Sequence, residues 1–103
     1  MYSRVIQLVV GTGSGQEVVN RIDSDLLPIY ADASGFLAYY VIAAGGDADD
    51  TFVTIRVFED EVALEDADVA AADATEQIGV DFDLSFTHQG EGEVALFGQP
   101  SEF

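Results

Sequence analysis

The chain reads as a single α+β domain, an antiparallel sheet with two helices packed on one face. Three observations predict it. Strand-like apolar runs and helix-like stripes follow one another in the order strand, helix, strand, strand, helix, strand. The two adjacent strands are joined by a short turn rich in glycine and aspartate, which makes them an antiparallel hairpin. With 103 residues, 49% of them hydrophobic, the chain has material for one core.

The elements follow in order. Tyr2 to Val10 is β-branched and apolar and reads as the first strand, ended by Gly11-Thr12-Gly13-Ser14-Gly15. A helix runs from about Gln16 to Asp32, with Val18, Ile22, Leu26 and Ile29 on one face and Val19 and Tyr30 widening the stripe. Pro28 lies late in this helix and removes a backbone donor, so a bend or break is expected near Asp25 to Leu27. Ser34-Gly35 turns the chain into a second strand, Phe36 to Ala44. Gly45 to Asp50 is a turn cluster, and Thr51 to Phe58 is a third strand. Asp60 reads as the N-cap of a second helix reaching about Gln77, with Gly79 ending it. Its small-residue stripe is Ala63, Ala67, Ala70 and Ala74, with Leu64 and Ala71 beside it. Val80 to Thr87 alternates with period two and reads as a strand; Gln89 to Gly92 reads as a turn and Glu93 to Phe97 as a short last strand. The order of elements is that of a ferredoxin-like sandwich. One domain is expected over residues 1–98, with a loose tail over 99–103.

Twenty Asp and Glu stand against three Arg and no Lys, for a formal net charge of −17. In dilute buffer this repulsion destabilises the compact state. At about 1 M salt the Debye length falls to about 3 Å and most of the repulsion is screened. The composition therefore predicts adaptation to a salt-rich cytoplasm. It also disfavours nucleic acid and anionic membranes as partners, because phosphate binding depends on Lys and Arg. There are no cysteines, which excludes disulfides and thiolate metal sites. The apolar run Val5 to Val10 is too short for a membrane span or a usual signal core, so a cytoplasmic protein is expected.

Gly11 to Gly15 lacks the final glycine of a dinucleotide fingerprint and the lysine of a P-loop, and reads as a strand-to-helix turn. Asp47, Asp49 and Asp50 would hold a cation loosely at most, since the Gly and distal Glu of an EF-hand loop are missing. His88 is the one imidazole: a general base, or a polar residue at a strand end. It gives no metal site by itself. Tyr39 and Tyr40 point to opposite sheet faces; at least one lines a ligand pocket or packs in the core or an interface. Arg56 lies between Thr54 and Phe58 on one strand face. It is a partner for an anionic or enolate oxygen, or half of a structural salt bridge. Strand three is substantially apolar on both faces, with Val53, Ile55 and Val57 on one and Phe52, Thr54, Arg56 and Phe58 on the other. Both faces therefore need covering.

Three stretches carry a family resemblance: Leu27-Pro28 followed by Ser34-Gly35-Phe36-Leu37-Ala38-Tyr39-Tyr40, then Arg56-Val57-Phe58-Glu59-Asp60-Glu61-Val62-Ala63-Leu64, then Glu91-Gly92-Glu93-Val94. They resemble the antibiotic biosynthesis monooxygenase-like families of the dimeric α–β barrel superfamily. The resemblance implies a homodimer in which the bare faces of two sheets close a barrel. It implies a pocket for an apolar or aromatic small molecule, and oxidation there without metal or flavin. His88 and Arg56 would be the catalytic candidates, and Tyr39, Tyr40 and Phe58 would line the ligand. The chain departs from the family in having Phe58 where its members often have Trp. A non-catalytic binding or stress-related protein on the same scaffold is the alternative.

Overall fold

The computed structural model describes residues 1–45 and 50–95. Strand β1 (Tyr2–Val9) leads into α1 (Gly15–Arg21), a π-helical turn (Ile22–Leu26) and α2 (Leu27–Ala31). Strands β2 (Phe36–Ala43) and β3 (Thr51–Phe58) follow, then α3 (Glu61–Asp81) and β4 (Ser85–Glu93). The strands form one antiparallel sheet in the order β2-β3-β1-β4, the ferredoxin-like arrangement that the sequence predicts. Asp47 and Asp49, and the tail over 99–103, lie outside the described residues.

The expected bend before Pro28 is a single π turn. Leu27 N–H bonds to Ile22 O, five residues back, just where Pro28 can offer no N–H of its own. The turn has a packing consequence. At 100° per residue, Tyr30 would sit ~120° around an uninterrupted α-helix from Val18. One residue absorbed in the π turn reduces that to ~20°. Val18, Ile22, Leu26 and Tyr30 are accordingly all buried against the sheet, while Ile29, expected on that stripe, is half-buried.

Helix α3 begins as expected, with the Asp60 carboxylate accepting from Ala63 N–H. It ends later than the glycine suggested. Asp83, at φ 49, takes the left-handed position past the helix end, and Leu84 N–H returns to Gly79 O. Gly79 itself is helical. Its lack of a side chain admits the Phe86 ring, which a Cβ would meet at 3.3 Å. The strand expected over Val80–Thr87 gives way to the end of α3 and to β4, which runs through the expected turn at Gln89–Gly92 as far as Glu93; the end of the strand expected over Glu93–Phe97 lies outside the described residues. Gln89 is an extra residue in it, because Val5 pairs with Gly90 and Ile6 with His88.

Core residues lie between the helices and one sheet face, where Leu8, Phe52 and Phe58 meet Val18, Leu64 and Ala71. Among the described residues no helix covers the opposite face. Val5, Val53, Ile55, Val57, Tyr40 and Ile42 lie there, with Tyr40 53% exposed.

Candidate active site

A cavity of about 630 Å³ opens between the sheet and the helices. Its walls are mainly apolar, with Ile6 and Leu8 from β1, Ile22 and Leu26 from the π turn, and Leu84 and Phe86 from the last connection and β4. At one end Tyr30, Tyr39, Arg56 and Asp68 converge, and Thr75 and Glu76 stand further along α3.

Strand register brings the cations together. Arg4 and Arg56 are directly paired across β1 and β3, both pointing to the helix side. Asp68 meets them from α3. Leu64, Asp68, Ala71, Thr75 and Ile78 recur at helical spacing, so this one acid stands in the stripe that α3 turns toward the sheet. Its carboxylate accepts from Arg4 Nη1, from Arg56 Nη2 at 3.1 Å and from the Tyr30 hydroxyl at 2.6 Å. Arg56 Nε lies 3.0 Å from Asp68 Oδ1 but off the hydrogen-bonding line, and its buried N–H has no acceptor. The Arg56 side chain is 11% exposed and that of Asp68 21%, so the pair is largely withdrawn from water.

The tyrosines complete this end. The Tyr30 and Tyr39 rings are 5.2 Å apart, and the Arg56 guanidinium stands 5.5 Å from the Tyr30 ring centre. Burial pushes the Tyr30 hydroxyl well above its ordinary range; Arg56 opposes this and the bond to Asp68 reinforces it. Burial also raises Tyr39, with Arg56 again opposing. Both hydroxyls are thus held in the protonated, donor-capable form near neutral pH.

A second carboxylate stands behind the first. Glu91 on β4 accepts from the Tyr2 hydroxyl, from Arg4 Nε and Nη2 at 3.2 Å each, and lies 2.8 Å from His88 Nε2. The bulge at Gln89 puts His88 and Glu91, three residues apart, on the same face of the strand. These partners, the Tyr2 hydroxyl foremost and then Arg4, hold the Glu91 carboxyl down to about 2. The same bond pushes Tyr2 up to about 12.

The sequence candidates divide by position. Arg56 and Tyr39 line the cavity. Arg56 also makes a salt bridge within its own protomer. Tyr40 is carried to the bare face by strand alternation. Phe58 is 0% exposed, packed on Phe36 and Tyr30 in the core beyond the cavity wall. His88 is 51% exposed on the edge strand, outside the cavity. Sequence reasoning missed Asp68, Tyr30, Arg4 and Glu91. The signal for Asp68 was an acid four residues from Leu64 and three from Ala71. Tyr30 lay four residues past Leu26 on the inner stripe. Among the described residues, no three His, Cys, Asp or Glu side chains gather as a metal-binding group. No described helix is long and apolar enough to cross a membrane.

No protein-family model matches the chain, and no curated protein does. Solved structures do match. A variant of SnoaB, a cofactor-independent oxygenase from Streptomyces nogalater, aligns over 93% of this chain and 94% of its own with TM-score 0.77 at 17% identity. An antibiotic biosynthesis monooxygenase aligns over 87% and 97% with TM-score 0.66 at 16% identity. A dimeric ferredoxin-like protein from an uncultured marine organism aligns over 95% and 97% with TM-score 0.70 at 8% identity. The chain has the fold of the antibiotic biosynthesis monooxygenase-like, dimeric ferredoxin-like proteins.

Proposed function

We propose that the chain works in molar salt in the cytoplasm as a homodimer, paired through the bare sheet faces. Each protomer would take an apolar or aromatic small molecule into the cavity and oxidise it with molecular oxygen, without metal or flavin. The observation that carries this reading is the largely apolar cavity with one polar end, on a fold shared with a cofactor-independent oxygenase. Chemistry of this kind requires a substrate that forms a carbanion. A C–H proton leaves, and the electron pair passes to O2. The resulting peroxide loses water, so one oxygen atom stays as a carbonyl and the other departs as water. The protein's part is to exclude solvent and to face the charged oxygen with donors. Arg56 and Tyr39, which line the cavity, would be those donors; His88 lies outside the cavity, so the substrate proton would pass to it by way of water rather than directly.

The second reading, a non-catalytic ligand-binding protein, is favoured by two observations. Arg56 is tied to Asp68, and the imidazole of His88 lies outside the cavity. Aerobic incubation with 9-anthrone, a carbanion-forming aromatic ketone, separates the two in ~2 M KCl, with oxygen uptake and ligand fluorescence followed together. Catalysed uptake that falls in a His88→Ala, Arg56→Gln double variant supports the oxygenase. Saturable binding with no uptake above the buffer rate supports the carrier. Absence of binding sinks both.

A further inference from the structure

The charges around the cavity's polar end cancel. Arg4 and Arg56 supply two positive charges; Asp68 and Glu91 supply two negative ones, and Arg4 is the member shared between them. The third cation, Arg21, is committed elsewhere, to Asp25 and Asp81. Of the groups that line the cavity itself, Arg56 is the one cation and is offset by Asp68, while Glu76 adds a further carboxylate toward Val80. Tyr39 adds an uncharged hydroxyl on the same walls, while those of Tyr30 and Thr75 already donate, to Asp68 and to Ala71 O. An ionic ligand therefore meets no spare counter-charge at the inner end. Desolvating a charge there without a counter-ion is costly, and breaking into the Arg56–Asp68 pair would strand one of its members.

Resting on the reading that the cavity holds a small molecule, we propose that it selects an uncharged ligand: an apolar body bearing one neutral hydroxyl or carbonyl oxygen, received at the inner end by Tyr39 and Arg56. Asp68 sets this preference. By neutralising Arg56, it turns an arginine that would otherwise draw carboxylates into a fixed hydrogen-bond donor. Discrimination arises as much from what the site refuses as from what it binds. A formal net charge of −17 acts in the same direction on anions approaching from outside.

Three isosteric fluorescent probes test the idea: 2-naphthalenemethanol, 2-naphthoate and 2-naphthylmethylamine. They are titrated into the full chain in ~2 M KCl, where long-range repulsion is screened and the local charge balance is what remains. The alcohol is expected to bind at least about tenfold more tightly than either ion. Asp68→Asn should raise naphthoate affinity about tenfold relative to the alcohol. Arg56→Gln shifts the balance the other way and should favour the amine. The wild-type ranking and the two opposed variants are independent readouts, so loss of folding in one variant leaves the others decisive. A wild-type chain that binds naphthoate or the amine as tightly as the alcohol overturns the inference while leaving the cavity reading intact. Variants whose rankings match wild type do the same. Failure of all three probes to bind overturns the cavity reading and this inference with it.

Discussion

Arg4 serves two carboxylates at once, and this makes the interior ionic network sensitive to acid. Glu91 is held at about 2, below the ordinary 4.5 of a glutamate, by the Tyr2 hydroxyl and Arg4. A carboxyl depressed by folding stabilises the native state above its unfolded value, and that contribution is lost as pH falls through the folded one. The window is therefore pH 4.5 down to about 2. Urea unfolding of wild type and Glu91→Gln across this window should show wild type losing stability as pH drops and the variant losing less of it. Equal slopes would mean that the Tyr2 and Arg4 contacts are not formed in solution. Tyr30 offers a second measurement. Its hydroxyl donates to a carboxylate in a largely buried place, so Tyr30→Phe keeps the ring and removes a charge-assisted bond. A loss of about 1.5–3 kcal/mol by denaturant titration is expected. A change within about 0.5 kcal/mol would mean that water replaces the bond at no cost.

Helix boundaries show why some elements were legible in the sequence and others were not. Apolar periodicity identified β1, β2 and β3 almost to the residue, and the Asp60 cap fixed the start of α3, because these signals are local. The end of α3 was misplaced because glycine has two uses. Gly79 makes room for the Phe86 ring within the helix, whereas Asp83 does the turning, and that exchange depends on a tertiary contact. The same shift moved the start of the strand expected at Val80 to Ser85 and carried it through the expected turn. In the site, Arg56 and Tyr39 were readable from strand alternation, but Arg4 joins them through sheet register and Asp68 through the packing of α3 on the sheet, which no single window contains. The π turn can be tested directly. It holds one residue more than an α-helix needs, and Ser24 is exposed in it. Deleting Ser24 should close the turn into regular α-helix, keep Tyr30 and Val18 on one face, and leave a cooperative transition. A chain that no longer folds would show that Ile22 and Leu26 need the π geometry itself. Asp60→Ala, by contrast, removes a bond to Ala63 N–H and should cost about 1 kcal/mol in any salt.

The bare sheet face and the net charge pull against each other in the whole molecule. Val53, Ile55, Tyr40 and Ile42 on one side favour a second copy, yet two copies bring together twice a charge of −17. Magnitudes decide which wins. The protomer measures 39 × 31 × 21 Å. At ~10 mM salt the Debye length is about 30 Å, so nearly every carboxylate feels every other across both protomers. At molar salt it is about 3 Å, so only adjacent acids interact, while burial of apolar surface continues to act. Association should therefore be salt-dependent, with dimers in ~2 M KCl giving way to monomers in dilute buffer, and the melting temperature should fall steeply alongside. Tyr40→Asp puts a carboxylate into the middle of the bare face without disturbing the core, since Tyr40 touches none of the buried cluster. It should be monomeric even at ~2 M KCl by sedimentation, and its melting temperature should vary less with salt than that of wild type. Its core-facing residues are unchanged, and a single protomer carries half the charge of the pair. A wild-type chain that stays monomeric in concentrated KCl, or melts at the same temperature in both solvents, would mean that the sheet face is stable in water and that the acids serve something other than salt adaptation.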